Sequence, residues 1–380
     1  MIDFPFSEPN LYTCLYSLLF WVFLCTIYYD KYISHPIFQD GINDCARFPT
    51  VFFVGIYLIT NTMNGDFFHF MDIVHNYSFT EGAYNYGESI YKPIIMLVDR
   101  NYLLFRIVIW GGALLLFCII AKRFEVPTHY AVLLMLILHS RTFCYARATL
   151  AMAFASLGFS FFCKTNNNKI VKFSLGILFM LISTRFHNSS WIMIAMLLFL
   201  VIPIETRWGF ILSLLIIPLL VRYSSDIISN IFDYTSSSMD DYYLNQKIER
   251  YGNMDESHNI FNTPSAIIGN GLLYLNFFYP VGVILWSIID KKHIEFPTEF
   301  KLLFRIVVGY IITSSAFLII GSHIISVRVM LMSFIPLTII ISKCYEYNII
   351  SYKTYHQIII LGVLSNLFTY CYNLYCVISV

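Results

Sequence analysis

Charged residues are scarce in this chain: they make up 12% of its 380 residues, and the formal net charge is +1. Soluble proteins carry roughly 25% charged residues, so this chain cannot cover a water-facing surface of its size. Several apolar runs exceed the roughly 18 residues needed to cross a bilayer, and the mean hydropathy is +0.68. The composition therefore predicts a polytopic membrane protein, and the near-zero net charge gives no sign of a nucleic-acid partner.

The sequence also lacks the motifs of several enzyme classes. Its nine cysteines form no CxxC pair and lie mostly in apolar runs, which excludes a zinc or disulfide framework. No HExxH, nucleophile elbow or P-loop is present. His69, Asp72 and His75 are spaced too widely around a helix to converge on a metal. We therefore predict chemistry that needs neither a metal nor another cofactor.

The apolar runs predict an all-α bundle of ten to twelve transmembrane helices within one integral membrane domain, residues 1–380. The first run, 11–29, follows no basic segment and ends in no small-residue cleavage site, so we expect it to stay as an anchor. The predicted helices are 10–29, 48–62, 102–121, 127–140, 147–163, 170–185, 189–204, 208–224, 265–289, 302–320, 325–342 and 355–378.

The loops between these helices differ in their cations. Alternate loops carry thirteen cations against eight, which places the richer, lysine-dominated set in the cytoplasm and both termini outside. Six of the eight outer cations are arginines, whose planar fork suits phosphate and carboxylate groups. Two long outer loops, 63–101 and 225–264, combine acids with tyrosines, a composition that suits sugar binding. The alternative for these loops is an ordinary solvated surface.

Four short motifs follow one another on the predicted outer side. They are NGDFFHF at 64–70, ARATLAMAF at 146–154, TRFHNSSWIMI at 184–194 and SVRVMLMSFIP at 326–336. In order and spacing they resemble the EpsG family of Wzy-like polysaccharide polymerases. Asp66, Arg147, His187 and Arg328 fall on the family's pattern, whereas Ala148 stands where the family usually has glutamine.

This resemblance implies an O-antigen or surface-polysaccharide polymerase in the bacterial inner membrane, with its active site facing the periplasm. The expected partners are an undecaprenyl-diphosphate-linked oligosaccharide, the lipid bilayer and a chain-length-determining co-polymerase. His187 or Asp66 would act as the base, and Arg147, Arg185, Arg328 and Arg141 would bind the diphosphate. Arg147 would be held rigidly, because Ala151, Ala155 and Gly158 line one side of its helix.

Whether Arg141 can share a site with Arg147 depends on the backbone between them. Arg141 lies six residues before Arg147, so one continuous helix would turn it about 240° away. It can share a site with Arg147 only if the segment between them bends.

Other interpretations stay open at the level of sequence. Each arginine could instead extend towards lipid phosphates, His187 could cap a helix, and Asp66 could be a solvated loop carboxylate. An O-antigen ligase, or a glycosyltransferase that uses a polyprenyl-phosphate sugar, would need nearly the same residues. A flippase or transporter is less favoured because no internal repeat is evident, and no histidine pair supports a membrane-bound acyltransferase.

Overall fold

The computed structural model describes residues 10–29, 47–62, 66–77, 90–143, 146–164, 169–187, 190–206, 208–215, 264–290, 296–319 and 323–378. These residues form fifteen helices and no strands, which confirms the all-α prediction. The second predicted loop, 225–264, lies outside this part of the chain except for Pro264, where a helix begins.

Each predicted apolar segment coincides with a helix or a pair of helices, except that residues 216–224 of the segment 208–224 lie outside the described part of the chain. In chain order the helices are α1 (Leu11–Tyr28), α2 (Arg47–Thr60), α3 (Asp66–His75), α4 (Tyr91–Leu97), α5 (Tyr102–Arg123), α6 (Thr128–Phe143), α7 (Ala146–Cys163), α8 (Lys169–Phe186), α9 (Ser190–Leu200), α10 (208–215), α11 (Pro264–Asp290), α12 (Thr298–Ile319), α13 (His323–Leu331), α14 (Phe334–Glu346) and α15 (Tyr352–Ile378). Among these, five are long and apolar enough to cross a membrane, and the pair α13 and α14, bent by 47°, would make a sixth.

The first predicted outer loop, 63–101, is partly helical, because it contains α3 and α4. In α3 the apolar residues Phe67, Phe70, Met71 and Val74 recur at helical spacing, and all four are buried. The segment is therefore an amphipathic helix packed on the bundle, and its periodicity was readable from the sequence.

Helices α6 and α14 form the centre of the bundle. In α6 every residue from Tyr130 to Ser140 is buried, and α14 is buried from Phe334 to Cys344. Helix α6 packs against α1, α2, α5, α7, α14 and α15. A helix that is apolar on all sides is stable only when other helices or lipid surround it, and here helices do so.

The close approach predicted along the small residues of α7 is present at α8. Ala151 and Ala155 are buried, and a Cβ on Gly158 would lie 2.9 Å from the carbonyl oxygen of Gly176. Phe154 of α7 stacks on Phe186 of α8, and further along α7 Phe162 contacts Phe173, earlier in α8. The two helices therefore run antiparallel with their backbones nearly in contact.

Lysines and acids gather at one end of the bundle. Lys164, after α7, pairs with Glu125, after α5, at 3.1 Å and with Glu299, at the start of α12, at 3.8 Å. The hydrogen bond from Lys164 is the main cause that lowers the pKa of Glu125. Lys343 pairs with Glu346 at 2.7 Å near the end of α14. We call this the lysine end; that it faces the cytoplasm stays a prediction from loop charge.

A further ion pair joins the segment after α9 to α12. Arg305 donates from Nε to Glu205 at 2.9 Å and from Nη1 to the carbonyl of Leu200 at 2.7 Å, and its Nη2 also contacts the Glu205 carboxylate. Burial alone would raise the pKa of Glu205, but the bond and charge of Arg305 outweigh it and lower that pKa. The ionised carboxylate is thus the form that the fold stabilises.

We expect Glu205→Gln to lower the free energy of unfolding by roughly 2 kcal/mol, because one partner of a half-buried pair would be lost. The side chains of Arg305 and Glu205 are 18% and 19% exposed, so the effect should fall below that of a fully buried pair. The depressed pKa adds a pH signature: the stabilisation is present above the usual carboxyl range and is lost as pH falls through the folded-state pKa. Thermal melts of the purified protein at several pH values would measure both.

The matched control is Glu125→Gln, which breaks an ion pair whose carboxylate is 78% exposed. Exposed pairs contribute about 0–1 kcal/mol, so this variant should melt close to the wild type. Equal losses from the two variants would contradict the role given to Glu205.

Candidate functional site

The first turns of α7 and the end of α8 lie together, opposite the lysine end. Phe154 of α7 stacks on Phe186 of α8, with centroids 5.3 Å apart and ring planes 16° apart. Because the helices are antiparallel, this register places His187 level with the second turn of α7, about 9 Å along the helix axis from Arg147. The structure therefore brings the backbones of Arg147 and His187 to the same end of the bundle, and we call it the arginine end.

His187 is held by its backbone directly after α8. Its N–H donates to the carbonyl of Ser183 at 3.1 Å, and its own carbonyl accepts from the N–H of Ser190 at 3.0 Å. The side chain is half-buried. These two bonds join the end of α8 to the start of α9 and fix the backbone of His187 between them.

Arg185 differs from the expected arrangement. Two residues apart, Arg185 and His187 could flank one anion only in an extended turn, but Arg185 belongs to the last turn of α8 and is exposed. The neighbouring Phe186 is buried and contacts Tyr91 of α4 at 6.0 Å. This aromatic contact stabilises the last turn of α8, and a cation there suits the helix dipole.

Arg141 and Arg147 belong to different helices. Helix α6 ends at Phe143 and α7 begins at Ala146. The side chains of both arginines lie outside the described part of the structure, so their sharing of one site stays a prediction. Within α6, His139 leaves helical geometry, with φ −137° and ψ 26°.

Asp66 is the first residue of α3, which packs against α5 and α7. Phe67 contacts Tyr102 of α5 with centroids 5.2 Å apart. The backbone of Asp66 thus lies at the arginine end, while its side chain is outside the described residues.

Arg328 is placed by a serine pair. Ser326 of α13 and Ser314 of α12 each donate to the other's backbone carbonyl, at 2.7 and 2.8 Å. Tyr274 of α11 contacts the Ser326 hydroxyl at 2.8 Å. Arg328 lies two residues further on, roughly on the opposite side of α13, and is exposed. It lies in the half of α12 and α13 that is away from the lysine end.

Sequence reasoning missed the importance of Arg106, which is fully buried. Its guanidinium group donates to the carbonyls of Ile59, Leu58 and Asn61 and to the hydroxyl of Tyr102. It also lies over the rings of Trp110 at 4.1 Å and Phe67 at 4.5 Å. The signal in the sequence is the four-residue spacing of Tyr102, Arg106 and Trp110, which puts all three on one helix face.

Arg106 is therefore a positioning residue and not an anion ligand. The carbonyls that it binds belong to the last turn of α2 and the residue after it, which have no partners within the helix. By closing that helix end, Arg106 fixes the point from which the chain continues to Asp66. Four of its five N–H donors are bound to protein atoms and the side chain is fully buried, so it is not placed to bind a diphosphate.

Comparison with known proteins identifies the chain. Neither a curated protein nor a solved structure matches it. The sequence profile of the EpsG family, however, matches residues 46–379, which include all the candidate site residues named above. The chain therefore belongs to the EpsG family.

Proposed function

We propose that this protein is a polysaccharide polymerase of the O-antigen type. It would transfer a growing glycan from undecaprenyl diphosphate to the non-reducing end of another undecaprenyl-diphosphate-linked repeat unit. Membership of the EpsG family supports a membrane polysaccharide polymerase-like function in general. The observation that supports the finer proposal is that the backbones of Arg147, Arg185 and His187 lie at the same end of the bundle, opposite the lysine end.

The arginines suit the leaving group of this reaction. As the bond between the sugar's anomeric carbon and the phosphate oxygen breaks, its electron pair stays on the diphosphate. Arg147 and Arg185, with Arg141 and Arg328, would stabilise that charge, and the N-terminus of α7 would add its dipole. Arginine is favoured over lysine here because its fork can hold two oxygens of one phosphate.

The acceptor hydroxyl needs a base. Its oxygen forms the new bond to the anomeric carbon, and its proton passes to His187 or to Asp66. The anchored, half-buried position of His187 supports it as the first candidate. Asp66 would act as the second candidate or as a ligand of the acceptor hydroxyl.

The proposed reaction also implies a cellular location and partners. The lipid-linked donor requires a site that opens to both bilayer and water, and we propose the periplasmic face of the bacterial inner membrane. The proposed partners are the bilayer, the undecaprenyl-diphosphate-linked oligosaccharide and a separate co-polymerase that sets chain length. The exposed apolar faces of α1 and α15 are suited to contact lipid.

Deleting the gene in its host would test the proposal by the length of the surface polysaccharide on a gel. A polymerase defect should leave lipid A core capped with a single repeat unit, because one unit is still made, exported and ligated. Restoring the gene on a plasmid should bring back the ladder of long chains.

Two other results would point elsewhere. Uncapped core after deletion would contradict the polymerase proposal and would favour an O-antigen ligase or a flippase. An unchanged ladder would show that the protein has no essential part in making this polysaccharide.

A further inference from the structure

The break inside α6 has no cause in its own sequence. His139 leaves helical geometry, yet residues 128–143 contain neither proline nor glycine. Helices without those residues kink where a side chain or a water molecule inserts into the backbone ladder. The cause must therefore come from neighbouring helices.

Three neighbouring helices supply side chains at the break. The consecutive carbonyls of Leu136, Ile137 and Leu138 accept from Trp21 of α1 at 3.4 Å, Asn366 of α15 at 2.7 Å and Asn276 of α11 at 2.6 Å. In an apolar environment each freed carbonyl must find a donor. Side chains from α1, α11 and α15 thus supply hydrogen-bond donors for the three carbonyls at the break in α6.

The break lies deep in the bundle. Asn276 and Asn366 each stand near the middle of a 27-residue helix. The ring of His139 approaches that of Phe334 at 6.1 Å, and Phe334 opens α14 at the 47° bend between α13 and α14. Two broken helices therefore meet at mid-depth, where irregular backbone in membrane proteins commonly lines a polar site.

Two side chains at the break, those of His139 and Asn276, have polar atoms without a hydrogen-bond partner within the described residues. His139 is 1% exposed, and within the described residues neither ring nitrogen has a protein partner. The Oδ1 of Asn276 also has none, although the Nδ2 of the same side chain binds the Leu138 carbonyl. Packing alone would favour leucine at position 139, because a buried polar group without a partner is costly.

We infer that His139 and Asn276 form a binding site for a hydroxyl group at the break in α6. A neutral imidazole offers one N–H donor and one acceptor nitrogen, and Asn276 adds an acceptor oxygen. A hydroxylic group, which both donates and accepts, complements this set, whereas an anion would face two acceptors. The hydroxyl can come from an ordered water molecule or from a sugar of the glycan. Only the second source rests on the proposed function.

The order of stability among variants at position 139 tests the site independently of enzyme activity. If a hydroxyl is bound, His139→Leu should lower the melting temperature by a few degrees. His139→Gln should recover part of that loss, because it keeps a donor and an acceptor. If nothing is bound, leucine should be the more stable replacement and should match or exceed the wild type, which would overturn the inference.

A matched control is His356→Leu near the start of α15. His356 lies at the bundle surface with its ring against Tyr352, so its loss should leave the melting temperature nearly unchanged. An equal fall in both histidine variants would also count against a specific site at His139.

Cryo-electron microscopy in nanodiscs would identify the source. Density within about 3.2 Å of the His139 ring and Asn276 Oδ1 in the protein alone would be an ordered water. Density that appears only after adding lipid-linked repeat units extracted from a gene-deletion strain would be a sugar hydroxyl. No density in either sample would refute the site, while the gel test of the polymerase would be unaffected.

Discussion

Arg147→Lys is expected to abolish long polysaccharide chains while the protein still inserts into the membrane. Lysine keeps the charge but loses the planar fork that can hold two phosphate oxygens. Removing one prepositioned donor from a developing oxyanion typically costs about 3–4 kcal/mol of barrier, or roughly a 100- to 1,000-fold loss in rate. The measurement is the polysaccharide ladder in a deletion strain that carries the variant gene, with protein level followed by immunoblot.

Arg100→Lys is the matched control for that experiment. Arg100 is exposed in the turn before α5 at the same end of the bundle, and it is not a candidate ligand. The same exchange there should leave the ladder normal. His187→Ala should reproduce the loss seen with Arg147→Lys, and normal ladders from both site variants would refute the proposed site.

Arg106→Leu is expected to prevent accumulation of folded protein. The substitution would leave the carbonyls of Leu58, Ile59 and Asn61 without their shared donor inside the bundle. Breaking a buried charged contact of this kind costs about 3–5 kcal/mol, which is a large part of the stability of most proteins. Fluorescence-detected size-exclusion chromatography should show loss of the single sharp peak of the wild type.

Two further variants serve as controls. One tests whether charge alone is enough at position 106, and the other tests whether an exposed arginine can be lost without loss of folding. Arg106→Lys keeps the charge, but one ammonium group cannot reach all three carbonyls, so its stability should fall between wild type and Arg106→Leu. Arg185→Leu changes an exposed arginine at the end of α8 and should fold normally even if activity is lost. A wild-type melting temperature for Arg106→Leu would contradict the positioning role.

The positions of most helices were predictable because bilayer-length apolar runs are a strong and local signal. The predicted segments coincide with α1, α2 and α5 to α15, with α13 and α14 sharing one prediction. Helix α3 was missed as a helix because its charges and its place in a polar loop obscured the periodicity of Phe67, Phe70, Met71 and Val74. The helical periodicity was therefore present in the sequence, but the polar composition of the surrounding loop outweighed it.

The candidate site was predictable only in part. The motifs bring Asp66, Arg147, Arg185 and His187 to one end because alternating helices must return to the same side. The break at His139 and the carbonyls that Arg106 binds were not predictable, because these partners lie far away in sequence; the spacing of Tyr102, Arg106 and Trp110 shows only that the three share one helix face. Asn276 and Asn366 reach α6 from α11 and α15, and Arg106 binds carbonyls of α2. Such contacts follow from tertiary packing and leave no local pattern.

The contact between Gly158 and Gly176 has a mechanical consequence. A side chain at either glycine would overlap the facing helix, since a Cβ on Gly158 would lie 2.9 Å from the Gly176 carbonyl oxygen and one on Gly176 would lie 2.7 Å from the Phe162 ring. We therefore expect α7 and α8 to behave as one unit, so that a displacement of either helix carries the backbones of both Arg147 and His187. Arg328 stands on a separate short helix between a serine pair and a 47° bend, so different contacts set its position.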